Sequence, residues 1–247
     1  HTDILVVTDK ALKELGLAER ALAPLADAGV NLHWYAGVDP DPTFAHVTEG
    51  AEVLRTAGCT AIVAVGGGSS MDAAKIIACT RTSDDSPDKW VGLNKVPDDV
   101  LPIYAIPTTS GTGSEATMGA VIKDPEQKLK HIIVGEDLLP QAVALDPDLL
   151  LGLPAPVTAA TGIDALTHGI EAYICIWDRG TRKENGRLAI QGVFRWLERA
   201  VQHPEDVEAR QGMAVAAYHA GIAINQVGVG NVPVSYTHLT LPTTRHV

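Results

Sequence analysis

The chain has little cysteine and little positive charge, and each shortage excludes a class of function. Its three cysteines, Cys59, Cys79 and Cys175, are odd in number and lack Cys-x-x-Cys spacing. That excludes a disulfide framework or a zinc knuckle and predicts reduced, mostly buried thiols of a cytoplasmic protein. Lysine and arginine number 19 against 30 acidic residues, for a formal net charge of -11, and no basic cluster stands out. Neither nucleic acid nor an anionic membrane is therefore an expected partner. No apolar run approaches the roughly 18 residues of a membrane-spanning helix. The first residues, His1-Thr2-Asp3, carry neither a methionine nor a basic signal-peptide region and run at once into Ile4-Leu5-Val6-Val7. A chain that opens directly on a strand is expected to have lost residues upstream. What is present, 46% hydrophobic and 20% charged residues, is the composition of a folded globular protein.

The first half alternates short apolar runs with amphipathic stretches, which predicts βα units and a parallel sheet. Strands are expected at Ile4 to Thr8, Val30 to Tyr35, Thr60 to Val65 and Leu101 to Ile106, the third buried on both faces. One helix is expected from Asp9 to Ala28, stopped by Gly29, and another from Thr43 to Ala57, closed by Gly58. Ser83 to Pro97 is expected to be a surface loop, and Ala116 to Ile122 with Leu129 to Val134 a hairpin around Asp124-Pro125. A further strand is expected at Ala142 to Leu145. From Pro156 to Gln226 the periodicity is helical, with one polar break near Trp177 to Lys183. The expected organisation is an α/β dinucleotide-binding domain over residues 1–150, a partial helical domain over 151–232, and a tail, 233–247, with neither alternation nor helical period.

Two loops carry the chemistry of the first half. Gly66-Gly67-Gly68-Ser69-Ser70 stands between a strand and a helix, where backbone N–H groups and the positive helix end are aimed at an anion. A glycine triplet alone fits an ordinary tight turn equally well. Pro107-Thr108-Thr109-Ser110-Gly111-Thr112-Gly113 also follows a strand, and its hydroxyls suit a sugar and a phosphate at the carboxyl end of a sheet. Gly111 to Ala116 matches G-x-G-x-x-A, but β-like runs follow it in place of a βαβ unit, so the match is discounted. In the second half, Asp164 and His168 stand four apart on an expected helix and share a face. A carboxylate with an imidazole suits iron or zinc, yet the same spacing serves a plain side-chain hydrogen bond, and a catalytic site usually has three protein ligands.

GGGSSMDAAK from Gly66, PTTSGTGSEAT from Pro107 and LPAPVTAATGIDALTHGIEAY from Leu153 together resemble the iron-containing (group III) alcohol dehydrogenases, in that family's order and spacing. The resemblance covers Ile4 to Val232. It implies an N-terminal parallel-sheet dinucleotide domain followed by an all-helical domain, here incomplete, with the active site in the cleft between them. It implies NAD, with NADP as the alternative, held by Asp9, Asp41, Gly67, Gly68, Ser69, Asp72, Thr108, Thr109, Thr112 and Lys130. Asp9, in Thr8-Asp9-Lys10, falls at the adenosine ribose, where an acidic side chain favours NAD; Asp41 replaces an asparagine of the family's Pro-Asn-Pro-Thr turn. Asp164 and His168 match the first two ligands of Fe2+, with Zn2+ as the alternative.

The family's third ligand is a histidine just after the stretch that Gly228-Val229-Gly230-Asn231-Val232 resembles, and here Pro233 follows. Proline cannot ligate a metal, and His238 and His246 do not match the pattern. The resemblance thus implies a member truncated at both ends, with an unrelated tail after Val232. For an intact member it implies metal-assisted hydride transfer between an alcohol and the nicotinamide, giving an aldehyde or ketone, in a homodimer. Two competing readings are a zinc-dependent polyol dehydrogenase of the same dehydroquinate-synthase-like architecture, and a nucleotide-binding fragment without turnover.

Overall fold

Five parallel strands in the order β2-β1-β3-β5-β8 form the main sheet of the computed structural model, which describes residues 1–83, 85–176 and 181–225. They are β1 (Asp3–Val7), β2 (Asn31–Tyr35), β3 (Ala61–Gly66), β5 (Ile103–Pro107) and β8 (Ala142–Val143). A smaller sheet, β4-β7-β6, consists of β4 (Gly92–Leu93) and the antiparallel hairpin β6 (Gly119–Asp124) and β7 (Leu129–Val134). Period-two alternation divides the main sheet between two cores. Leu5, Val7, Ile62 and Ala64 face α3 (Phe44–Ala57) and α4 (Gly68–Cys79), whereas Ile4, Val6, Ala61, Val63 and Val65 face Ala18 and Leu22 of α2 (Leu17–Asp27). All six residues of β3 are buried, as their unbroken apolar run predicts.

Three expectations need correction. The helix expected from Asp9 to Ala28 is two helices, α1 (Lys10–Glu14) and α2, because Gly16 takes a left-handed φ of 67° between them. The stretch Ser83 to Pro97 is not simply a surface loop: Pro87–Trp90 forms a 3₁₀ turn that buries Trp90, and β4 pairs with β7. The polar run before it, Ser83 to Lys89, hides this single aromatic anchor from a pattern-based reading. The helical half has a second break, at residues 203–206, between α6 (Arg182–Gln202) and α7 (Val207–Asn225). The segment from Gly228 to Val232, Pro233, His238 and His246 lie outside the described residues.

α5 (Ala155–Ile174), α6 and α7 pack on one another around Ala165, Ala189, Val193, Met213, Ala216, Ala217 and Ala220. Small side chains let the helix backbones approach closely, so this core is thin, and a polar pin reinforces it. The buried Arg210 of α7 donates to the carbonyls of Leu153 and Pro204 and to Thr158 Oγ1 of α5, at 2.7–3.0 Å. No helix among the described residues is long and apolar enough to cross a membrane.

Candidate functional site

β3 and β5 are paired in parallel with Gly66 opposite Pro107, so the loops that leave them stand side by side at the carboxyl edge of the sheet. Thr108 N–H donates to Gly66 O at 3.0 Å and ties the two loops together. α4 begins at Gly68, after an extended Gly67 and without a side-chain cap. Its first-turn N–H groups are therefore left for an anion. A Cβ on Gly67 would lie 3.3 Å from Thr109 Oγ1, and one on Gly68 would lie 2.8 Å from the Thr112 methyl. The glycines are thus where the two loops approach most tightly, and threonine hydroxyls flank the helix start. The cradle fits a pyrophosphate.

A second group of the expected residues lies over the same helix start. Asp41, in a left-handed conformation (φ 59°), donates its N–H to Ser69 Oγ at 3.3 Å. Its carboxylate accepts from Lys130 Nζ at 2.6 Å and faces Lys123 Nζ at 3.6 Å. The Lys130 hydrogen bond holds the Asp41 carboxyl below its ordinary range. Asp9, at the end of β1, caps α1 by accepting from Leu12 N–H at 2.9 Å with one oxygen. Asp72 points elsewhere: both its oxygens are engaged, one by Ser114 Oγ at 2.7 Å and one by Val121 N–H at 2.9 Å.

Sequence reasoning missed Lys75 and Glu115. Both are buried, and with Asp72 they form a cluster of charges beneath the second loop. Burial pushes the Lys75 ammonium down to about 8 and the Glu115 carboxyl up to about 7. The available signal was the placement of Asp72 and Lys75 within Met71 to Cys79, an otherwise apolar helical run with no solvated face.

On α5, Asp164 and His168 do come together. His168 Nε2 lies 3.7 Å from Asp164 Oδ1, beyond a good hydrogen bond but within the span of two ligand bonds of about 2.0–2.2 Å to one ion. His168 is buried with its Nδ1 unpartnered, and burial raises the Asp164 carboxyl above its usual range. An imidazole nitrogen, Nε2, that faces a desolvated carboxylate without a hydrogen bond to it fits a shared divalent cation better than a completed side-chain pair. Among the described residues no third His, Cys, Asp or Glu joins them. The Asp164–His168 pair and the loop of residues 107–113 are neighbours: a Cβ on Gly111 would lie 2.7 Å from Cβ of Thr161, one turn before Asp164.

A family model described as iron-containing alcohol dehydrogenase matches residues 1–147, and the C-terminal model of the same family matches residues 158–237. The chain belongs to the iron-containing alcohol dehydrogenase family. The second match runs five residues past Val232. The chain is 40% identical over 231 residues to an NAD-dependent methanol dehydrogenase of Bacillus methanolicus, covering 92% of this chain and 60% of that protein. It is 39% identical to a 1,3-propanediol dehydrogenase of Citrobacter freundii, covering 92% and 59%. An alcohol dehydrogenase from Oenococcus oeni superposes with a TM-score of 0.89 at 33% identity, covering 94% of this chain and 61% of the other. This member of the iron-containing family thus spans about 60% of the length of relatives it matches.

Proposed function

We propose that the chain binds NAD at the paired loops and is the nucleotide-binding portion, with part of the metal site, of a dehydrogenase that interconverts alcohols with aldehydes or ketones. The observation that carries this reading is the joining of the two sites by one loop. Residues 107–113 face the uncapped start of α4 at Thr109 and Thr112, and contact α5 at Gly111, one turn from Asp164 and His168. In this reading residues 1–150 form the dinucleotide domain and 151–232 part of a helical metal-binding domain. The α4 N–H groups hold the pyrophosphate, Thr109 and Thr112 donate to the phosphates and sugar, and the carboxylates of Asp9 and Asp41 face the ribose. Those carboxylates favour NAD over NADP, because a 2′-phosphate would be repelled.

Asp164 and His168 would hold a divalent metal ion, with iron favoured by the family. Such an ion supplies Lewis acidity that makes an alcohol O–H easier to ionise ahead of hydride transfer. The two donors found among the described residues are fewer than the three protein ligands usual at a catalytic metal site, and Pro233 stands where the family's next ligand is expected, so we read the chain by itself as binding nucleotide without turning over alcohol. The buried thiols Cys59 and Cys79 agree with a reducing, cytoplasmic setting, and a homodimer is the expected assembly of the full-length protein.

Titration of the purified chain with NADH, followed by fluorescence, tests the reading. Saturable binding that added ferrous iron does not change is expected. A folded chain that binds neither NADH nor NADPH would overturn it, and tightening by iron would show that the metal site is more complete than two ligands.

A further inference from the structure

We propose that Asp72 and Lys75 are positioning residues that fix the shape of the second cofactor loop from beneath, without touching the nucleotide. This rests on the reading of residues 107–113 as cofactor-binding. Lys75 is fully buried in α4, and its Nζ lies 2.7 Å from Ser114 O, 2.9 Å from Ser114 Oγ, 3.1 Å from Thr117 Oγ1 and 2.7 Å from Gly119 O. An ammonium has three protons, so four acceptors leave none of its donor capacity unused. One turn earlier, Asp72 accepts from Ser114 Oγ and Val121 N–H. Two side chains of one helix therefore fasten the whole stretch from Ser114 to Val121.

The fastening reaches the cofactor side in two short steps. Ser114 N–H donates to Thr112 Oγ1 at 3.2 Å, and the Thr112 methyl lies where a side chain on Gly68 would be. Ser114 thus carries the position of Lys75 to the threonine that faces the start of α4. A buried ammonium pays a desolvation penalty that a methionine of similar length would not. Stability alone gives no reason for a lysine here, whereas a network that gathers four acceptors within 2.7–3.1 Å of one ammonium specifies one loop conformation.

The test compares the wild-type chain with Lys75→Met, Asp72→Asn and Thr117→Val in three measurements: NADH dissociation constant, amide hydrogen exchange resolved by peptide, and thermal midpoint. Lys75→Met is expected to leave exchange in β1 and β3 protected, to speed exchange across residues 107–122, and to weaken NADH about tenfold or more. A loop in its binding shape only about a tenth of the time loses that factor in apparent affinity. Asp72→Asn keeps one acceptor and Thr117→Val removes one, so both are expected to move the same readouts in the same direction by less. Variants that are folded, bind NADH like the wild type and show unchanged exchange across 107–122 overturn the inference. Should Lys75→Met not fold, the two milder variants decide by the same criterion. A wild-type chain that binds no NADH overturns the underlying assignment of the loop, and with it this role, even if exchange shows that Lys75 holds the segment.

Discussion

Glu115 is buried under the second loop with its carboxyl raised to about 7 by desolvation, which the nearby Lys75 only partly offsets. The folded chain therefore keeps a proton that the unfolded chain releases near 4.5, so this group's contribution to stability falls as pH rises from about 4.5 to about 7. Glu115→Gln is expected to raise the thermal midpoint at pH 8, by a stabilisation on the order of 1–3 kcal/mol, and to lose that advantage near pH 4.5. A melting series across that range checks it; an equal effect at both ends would mean that burial of the charge is not what costs. Lys75 titrates with the opposite sense. Its folded value of about 8 lies below its ordinary 10.5, so its cost is full below pH 8 and fades as pH rises to 10.5. On the cofactor side, Asp41→Ala removes the carboxylate while leaving Lys123 and Lys130 in place. NADPH affinity is expected to rise relative to NADH by about tenfold, a preference change of roughly 1.4 kcal/mol. Parallel titrations with the two nucleotides would read it, and an unchanged ratio would remove Asp41 from the ribose.

α7 also packs on the end of the second loop. A Cβ on Gly221 would lie 2.4 Å from Gly113 O, Gly113 itself holds φ 63°, and Asn225 accepts from Met118 N–H at 2.8 Å and donates to Ala116 O. Gly221→Ala is expected to destabilise the chain by about 1–3 kcal/mol, since backbone and not a flexible side chain must yield. Urea unfolding measures this, and a midpoint within error of the wild type would show that the helix can shift freely. Arg210→Met, which takes the guanidinium from Leu153 O and Thr158 Oγ1 at the start of α5 and from Pro204 O between α6 and α7, is expected to cost about 2–4 kcal/mol in the same assay. Contacts of this kind explain what the sequence made legible. β3 and the hairpin were readable because an apolar run and a turn at Asp124-Pro125 are local signals. The break at Gly16 was not, because one glycine in an amphipathic stretch gives no sign that it will turn left-handed. Gly67, Gly68, Thr109 and Thr112 were found by motif and do meet, whereas Lys75 and Asn225 act over 39 and 107 or more residues of chain, where no pattern points.

The charge of -11 over the whole chain favours solubility, but apolar side chains stand in water on the helical half. Ile163, Ile170 and Ile174 share one face of α5, with Ile174 68% exposed, and Phe194 of α6 is 75% exposed. Exposed apolar side chains of this size promote association. The double variant Ile174→Glu, Phe194→Glu is expected to raise the protein concentration at which light scattering sets in, with little change in thermal midpoint; the same onset as the wild type would place the sticky surface elsewhere. The loop held between α4 and α7 has a further consequence for anyone wishing to simplify the molecule. Secondary structure changes near Leu150, and a scissor cut there looks natural on paper. Yet residues 1–150 by themselves would keep the turn at Gly66 to Gly68 and lose the helix that packs on Gly113. The two halves meet along this one loop, and cutting between them removes part of what holds it in shape.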